Sequence, residues 1–275
     1  MPDFIIVGAQ KSGTSSLYHY LGQHPSLFSS YGKEVHFFDG GLRARIDNYR
    51  KGPSWYRAHF PTRKQLPPGG KTFEATPLYL FNPLVPERMS RLVPDAKLII
   101  LMRNPVERAI SHFFHEKRKG REPLRILEAL QSEEERLAPA MARRDFMDPS
   151  FIRHSYKLRG VYHEQIARYL EWYPRENMLF LCSEEFFADP QRVLRRVFRF
   201  LDVDEEFRIT DLEPRNAAAN RVETDGEVYG YLEDFFRFHN QRLYELTGER
   251  YGWNAEPERS GEASRFFRVR EAVIE

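Results

Sequence analysis

The chain has almost no cysteine. Cys182 is the only one among 275 residues, which excludes an intramolecular disulfide framework, and its place in the apolar run MLFLC predicts a small buried hydrophobe in a reducing compartment. Long hydrophobic runs are missing too. No stretch approaches the roughly eighteen apolar residues of a membrane-spanning helix, and the opening MPDFIIVGAQ has neither a basic region nor a sustained apolar run, so no secretory leader is expected. Net charge is scarce: 42 Lys and Arg against 40 Asp and Glu leave +2, which gives no global signal for nucleic acid. There is no internal repeat, low-complexity tract or inter-domain linker, and no His, Cys or carboxylate set recurs at zinc-ligand spacing. These absences leave a cytoplasmic, enzyme-sized protein. Its 41% hydrophobic content suffices for one large core. The expected organisation is a single domain over 1–275, in which the charged, irregular end 255–275 reads as a loose tail or a docked helix.

What is present is an α/β alternation. Candidate strands are Phe4–Val7, Lys71–Glu74, Lys97–Met102 and Met178–Cys182; three are short apolar runs without clean alternation, as parallel strands covered on both faces should be. Helical patterns run over Thr14–Gly22, Leu84–Leu92, Pro105–Lys119, Leu124–Arg144, Val161–Trp172, Arg192–Leu201 and Val228–Thr247. The fold class expected is a P-loop-like single domain with a central parallel sheet flanked by helices.

The stretch GAQKSGTSS, Gly8 to Ser16, has the outline of a phosphate-cradling loop between a strand and a helix. Gly8, Gly13 and Ser15 fit the G-x-x-x-x-G-K-[ST] template, but Thr14 stands at the lysine position and a lysine comes three residues early, at Lys11. Backbone N–H groups at the helix start, the Lys11 charge and the hydroxyls of Thr14, Ser15 and Ser16 together make an anion site. The strand KLIILM ends in Arg103, where a nucleoside triphosphatase would hold magnesium with an acid; MLFLC does reach Glu184. In RNPVERAISHFF, Arg103 and Ser111 offer a fork and a hydroxyl to a second anion; the other reading pairs Arg103 with Glu107. In GKEVHFFD, Glu34 and His36 share a side if the segment is extended, and a partly desolvated Glu34 with a raised pKa would suit a general base. Finally, Arg43 to Lys64 holds seven basic side chains against one acid, interleaved with Tyr49, Trp55, Tyr56 and Phe60. That segment is either an acceptor face or a solvated charged surface over core aromatics.

KSGTSSL, KEVHFFD, EATPLYL and RNPVERAISHFF, in this order, resemble the sulfotransferases that use 3′-phosphoadenosine 5′-phosphosulfate (PAPS), and most of all the heparan sulfate N- and 3-O-sulfotransferase-like branch with its bacterial relatives. HSYKLRGVYHEQIARYLEWYPRENMLFL and LYELTGERYGW extend the likeness nearly to the end of the chain. The resemblance implies that Lys11, Ser12, Gly13, Thr14, Ser15 and Ser16 hold the 5′-phosphosulfate and that Arg103 and Ser111 hold the 3′-phosphate. It further implies that Glu34 is the catalytic base with His36 beside it. PAPS, leaving as adenosine 3′,5′-bisphosphate (PAP), needs no metal, and the acceptor is a hydroxyl or amine of a small molecule or carbohydrate. Two places depart from the pattern. Ala75 stands where heparan-type enzymes commonly carry a lysine, which argues against a glycosaminoglycan acceptor. Around PRNAAANR, Arg215 and Arg221 are candidates for a further 3′-phosphate contact. Rival readings are a P-loop small-molecule kinase using ATP–Mg and a non-catalytic nucleotide-binding module.

Overall fold

In the computed structural model, which describes residues 1–43, 46–215 and 224–254, the apolar runs form one five-stranded sheet. Its strands are β1 (Phe4–Gly8), β2 (Leu27–Ser29), β3 (Lys71–Ala75), β4 (Lys97–Met102) and β5 (Met178–Cys182). Their order is β2-β3-β1-β4-β5, and every neighbouring pair is parallel. β1 is the axis of the sheet: Ile5 registers with Glu74 on one side and Leu98 on the other. Successive β1 side chains point to opposite faces, so Ile5 and Val7 enter one core and Phe4 and Ile6 a second. Both faces are therefore covered, which is why these strands show no polar alternation.

The second core takes Leu17, Tyr20 and Leu21 from α1 (Thr14–Leu21), Phe186 from α9 (Ser183–Ala188) and Val193, Leu194, Val197 and Phe198 from α10 (Pro190–Phe200). The first core takes Tyr56 from α2 (Gly52–Arg57), Met89 from α3 (Val85–Leu92) and Tyr169 from α8 (Tyr162–Leu170). A third apolar cluster joins α4 (Pro105–Arg118), α5 (Ile126–Gln131) and α11 (Gly226–Thr247). Cys182 is buried, and burial together with Glu184 pushes its thiol up to about 12, so it is an inert hydrophobe.

Some expectations need correction. The helix expected over Leu124–Arg144 is two, α5 and α6 (Glu133–Ala142), broken at Ser132, whose Oγ donates back to Glu128 O at 2.7 Å. The edge strand β2, α2, α7 (Pro149–His154) and α9 were not anticipated, being three to six residues long. The stretch 255–275 lies outside the described residues.

The crevice is set by topology. The chain steps from β1 towards β3 on one side and β4 on the other, and ligands of such sheets sit at the carboxyl ends of the strands where this order reverses. The loop after β1 is shaped by Gly13, which caps α1 in the left-handed region at φ 94. A Cβ there would stand 2.7 Å from the Phe187 ring. Gly13→Ala should therefore cost at least about 2 kcal/mol, from left-handed backbone strain plus overlap. A urea denaturation midpoint equal to the parent's would show that the loop does not adopt this shape.

Candidate active site

Lys11, Ser12 and Gly13 lie in the loop after β1, and Thr14, Ser15 and Ser16 form the first turn of α1. The start of that helix carries the positive end of its dipole, which favours an anion beside it. Lys11 itself sits at φ 72. Burial pushes it down to about 8, helped by the positive charges of Arg118, Arg103, Lys119 and Arg108. The basic end of α4 therefore acts on the loop electrostatically. A lysine held this reluctantly among cations marks a pocket deficient in negative charge.

Ser16 departs from its expected role. It is fully buried, and its Oγ accepts from Arg215 N at 2.9 Å, so its hydroxyl ties α1 to the 211–215 segment rather than facing the loop. The same tie brings Arg215 to α1, with its guanidinium engaged by Asp211 and His19. Arg221 lies outside the described residues.

Arg103 follows β4 and reaches towards the loop, with NH1 3.5 Å from Lys11 O. Its other arm pairs with Glu107 at 3.1 Å, so the ion pair allowed by the sequence exists and any anion here shares Arg103 with it. Tyr162 Oη donates to Arg103 O at 2.9 Å and fixes this backbone. Ser111 is half-buried on α4, two turns beyond. Glu184, just beyond β5, has both oxygens engaged: Asn104 N donates to one at 2.9 Å, and Cys182 Sγ and Trp253 Nε1 donate to the other at 3.1 and 3.2 Å.

Glu34 and His36 do not sit in an extended segment, contrary to the sequence expectation. Both are left-handed, at φ 63 and 52, and the side chains meet because the turn folds them together. His36 Nε2 is 3.5 Å from Glu34 Oε2, and His36 Nδ1 is 2.6 Å from Asp39 Oδ2. Asp39 is 2% exposed, and its other oxygen accepts from Gly41 N at 3.1 Å. Burial lowers His36, but the two flanking carboxylates outweigh it and raise the imidazole to about 9. Burial likewise pushes Glu34 up, but hydrogen bonds from His36 and from Lys33, whose Nζ lies 2.5 Å from Oε1, win and hold it at about 2. The expected raised pKa of Glu34 is thus corrected: its charged partners outweigh desolvation. With Glu34 held low and His36 raised, a carboxylate faces an imidazolium across 3.5 Å at neutral pH. Asp39 was the residue missed in sequence, although its spacing of three from His36 inside one turn was the available signal.

The basic segment also resolves. Tyr56 and Phe60 are buried in the core, Trp55 lies under Lys51 Nζ at 4.4 Å, and Tyr49 lies under Arg88 at 4.4 Å. Arg50, Lys51, Arg57 and Lys64 are exposed. The aromatics therefore pack in or against the core, and these four cations face solvent.

A group whose pKa is raised on folding stabilises below its unfolded value and loses that contribution as pH rises through the folded one. For His36 the window runs from 6.5 to about 9. Asp39→Asn should return the imidazole towards 6.5 and flatten the fall in melting temperature across that window. Proton NMR titration of His36 checks it; an unmoved midpoint would mean that Asp39 does not hold the charge.

A profile of the sulfotransferase domain family matches residues 1–213. The crystal structure of a sulfotransferase from Alicyclobacillus acidocaldarius is 33% identical, covers 92% of this chain and 98% of that one, and superposes with a TM-score of 0.76. Human heparan sulfate glucosamine 3-O-sulfotransferase 6 is 29% identical over 92% of this chain and 73% of its own length. The membrane-associated sulfotransferase kil1 of Dictyostelium discoideum is 25% identical over 92% of this chain, which spans 66% of that protein.

Proposed function

The chain belongs to the sulfotransferase domain family, and from that premise we propose that it moves a sulfo group from PAPS to a hydroxyl or amine of a carbohydrate or small-molecule acceptor. The observation that carries this reading is Glu34, paired with Lys33 and 3.5 Å from His36, on the same carboxyl edge of the sheet as the cation-ringed Lys11 loop.

Bound at this edge, PAPS would supply an activated sulfo group on a phosphate that leaves. The pocket's charge suits it. Lys11 and the α1 N-terminus provide for the 5′-phosphosulfate, while Arg103 and half-buried Ser111 are the groups for a 3′-phosphate. Transfer of this kind depends on placement and charge rather than on covalent help from the protein. Lys11 neutralises charge growing on the leaving oxygen. Glu34 takes the acceptor proton. Its resting basicity is low because His36 and Lys33 both pair with it, so an acceptor that displaces Lys33 removes part of that hold and raises Glu34 towards a useful base. His36, already protonated at neutral pH, cannot accept that proton; it orients Glu34.

Ala75 is fully buried and supplies no cation, so an anionic carbohydrate would have to be met by the exposed basic residues of 43–64. The kinase reading is weaker because Glu184, the candidate magnesium ligand, is occupied by three donors.

PAP should stabilise the protein without metal, and 5′-AMP should do so much less. At a hundred times the dissociation constant the gain is about 2.7 kcal/mol, resolvable in a melt. Equal shifts with both nucleotides, or a shift only with ATP–Mg, would sink the donor assignment.

Glu34→Gln should lower single-turnover transfer by about a hundredfold to ten-thousandfold while leaving PAP affinity unchanged. His36→Ala should be milder. Full activity in Glu34→Gln with none in His36→Ala would overturn the assignment of the base.

A further inference from the structure

The left-handed turn that carries Glu34 and His36 is unfavourable for non-glycine residues, so something must over-determine it. The contacts come from β3 and the residues after it. Glu34 N donates to Ala75 O at 3.1 Å. His36 N lies 3.5 Å from Thr76 Oγ1, and Phe37 N and Phe38 N approach Tyr79 Oη at 2.9 and 3.4 Å. Both hydroxyls also face one fully buried carboxylate: Thr76 Oγ1 donates to Glu74 Oε2 at 2.6 Å, and Tyr79 Oη donates to Glu74 Oε1 at 3.2 Å. Tyr56 Oη supplies a third donor to Oε1 at 2.6 Å.

A hydroxyl has one hydrogen. Burial raises the Glu74 carboxyl, while the hydroxyls of Thr76, Tyr56 and Tyr79 pull it down; as a carboxylate it only accepts, so it claims that hydrogen from Thr76 and from Tyr79 and turns their lone pairs to the backbone N–H groups of His36, Phe37 and Phe38. We propose that Glu74 is a positioning residue: it sets the polarity of a two-armed hydroxyl relay through Thr76 and Tyr79 that holds the catalytic turn in its left-handed form. Glu74 touches no reacting atom and acts only through these hydroxyls. The inference deepens the sulfotransferase reading by naming what keeps Glu34 aimed, and it rests on that reading for its catalytic consequence.

Tyr56 is the internal control. Its ring stacks on Phe37 with centroids 4.6 Å apart, and its hydroxyl reaches the same carboxylate but receives no N–H from the turn. Tyr56→Phe and Tyr79→Phe each remove one hydroxyl and keep the ring, so a purely structural network predicts equal effects. The relay predicts otherwise. Tyr79→Phe and Thr76→Val should each lower single-turnover transfer by about tenfold, the scale of one lost buried acceptor. Each should also move the His36 titration down from about 9, because the imidazole leaves the carboxylates facing it, Glu34 and Asp39. Tyr56→Phe should lower the melting temperature and leave both readouts in place. Glu74→Gln should act like the Thr76 and Tyr79 variants, since its amide N–H reverses one arm; if it fails to fold, those two single-hydroxyl variants carry the test.

His36 titrations in Thr76→Val and Tyr79→Phe indistinguishable from that in Tyr56→Phe would overturn the relay. That titration needs no turnover. A wild-type protein that binds no PAP and transfers no sulfo group would therefore defeat the functional reading while leaving the relay judged on its own.

Discussion

The site hangs on one short hydrogen bond, His36 Nδ1 to Asp39 at 2.6 Å. A buried aspartate is costly unless paired, and His36 satisfies it by staying protonated. A protonated His36 in turn keeps Glu34 ionised at its other nitrogen. The left-handed backbone at both residues, the Gly41 N–H on Asp39 and the Asn48 side chain on His36 O at 3.0 Å serve the same end. Each fixes a group that the charge sequence requires at one place. Lacking Asp39, a neutral imidazole beside Glu34 would be free to compete with it for a proton.

The second half of the site is organised by the opposite shortage. Around Lys11 the protein gathers cations and gives them few partners. Arg103 is shared between Glu107 and the loop carbonyl, and α4 turns its basic end the same way. Such crowding is relieved by an anion, which is the property the proposed donor's phosphates would use.

Much of this could be read from residue order. The runs KLIILM and MLFLC became β4 and β5 without adjustment, because strands covered on both faces leave continuous apolar signatures. Gly8 and Gly13 marked the loop between β1 and α1, since turn chemistry is local. What sequence could not carry was the conformation of KEVHFFD: non-glycine residues at positive φ have no local signature, and here the turn is imposed by Thr76 and Tyr79, some forty residues away. For the 43–64 segment the sequence left two readings, and burial of Tyr56 and Phe60 selects the one with core aromatics under a charged surface. Distance also hid Ser16, whose hydroxyl seemed available until the 211–215 segment took it. Local chemistry was legible; long-range hydrogen bonding was not.

The depressed pKa of Lys11 has a thermodynamic corollary. Above about pH 8 the empty loop holds its lysine largely neutral, whereas a phosphate settling beside it favours the ammonium. Ligand capture in that range must then draw a proton from the medium, so the apparent heat of binding carries the ionisation enthalpy of whatever buffer is present, and affinity falls with rising pH even though the ligand's own charge is unchanged. On the proposed donor reading, the loop would take up solvent hydrogen ions together with its anion.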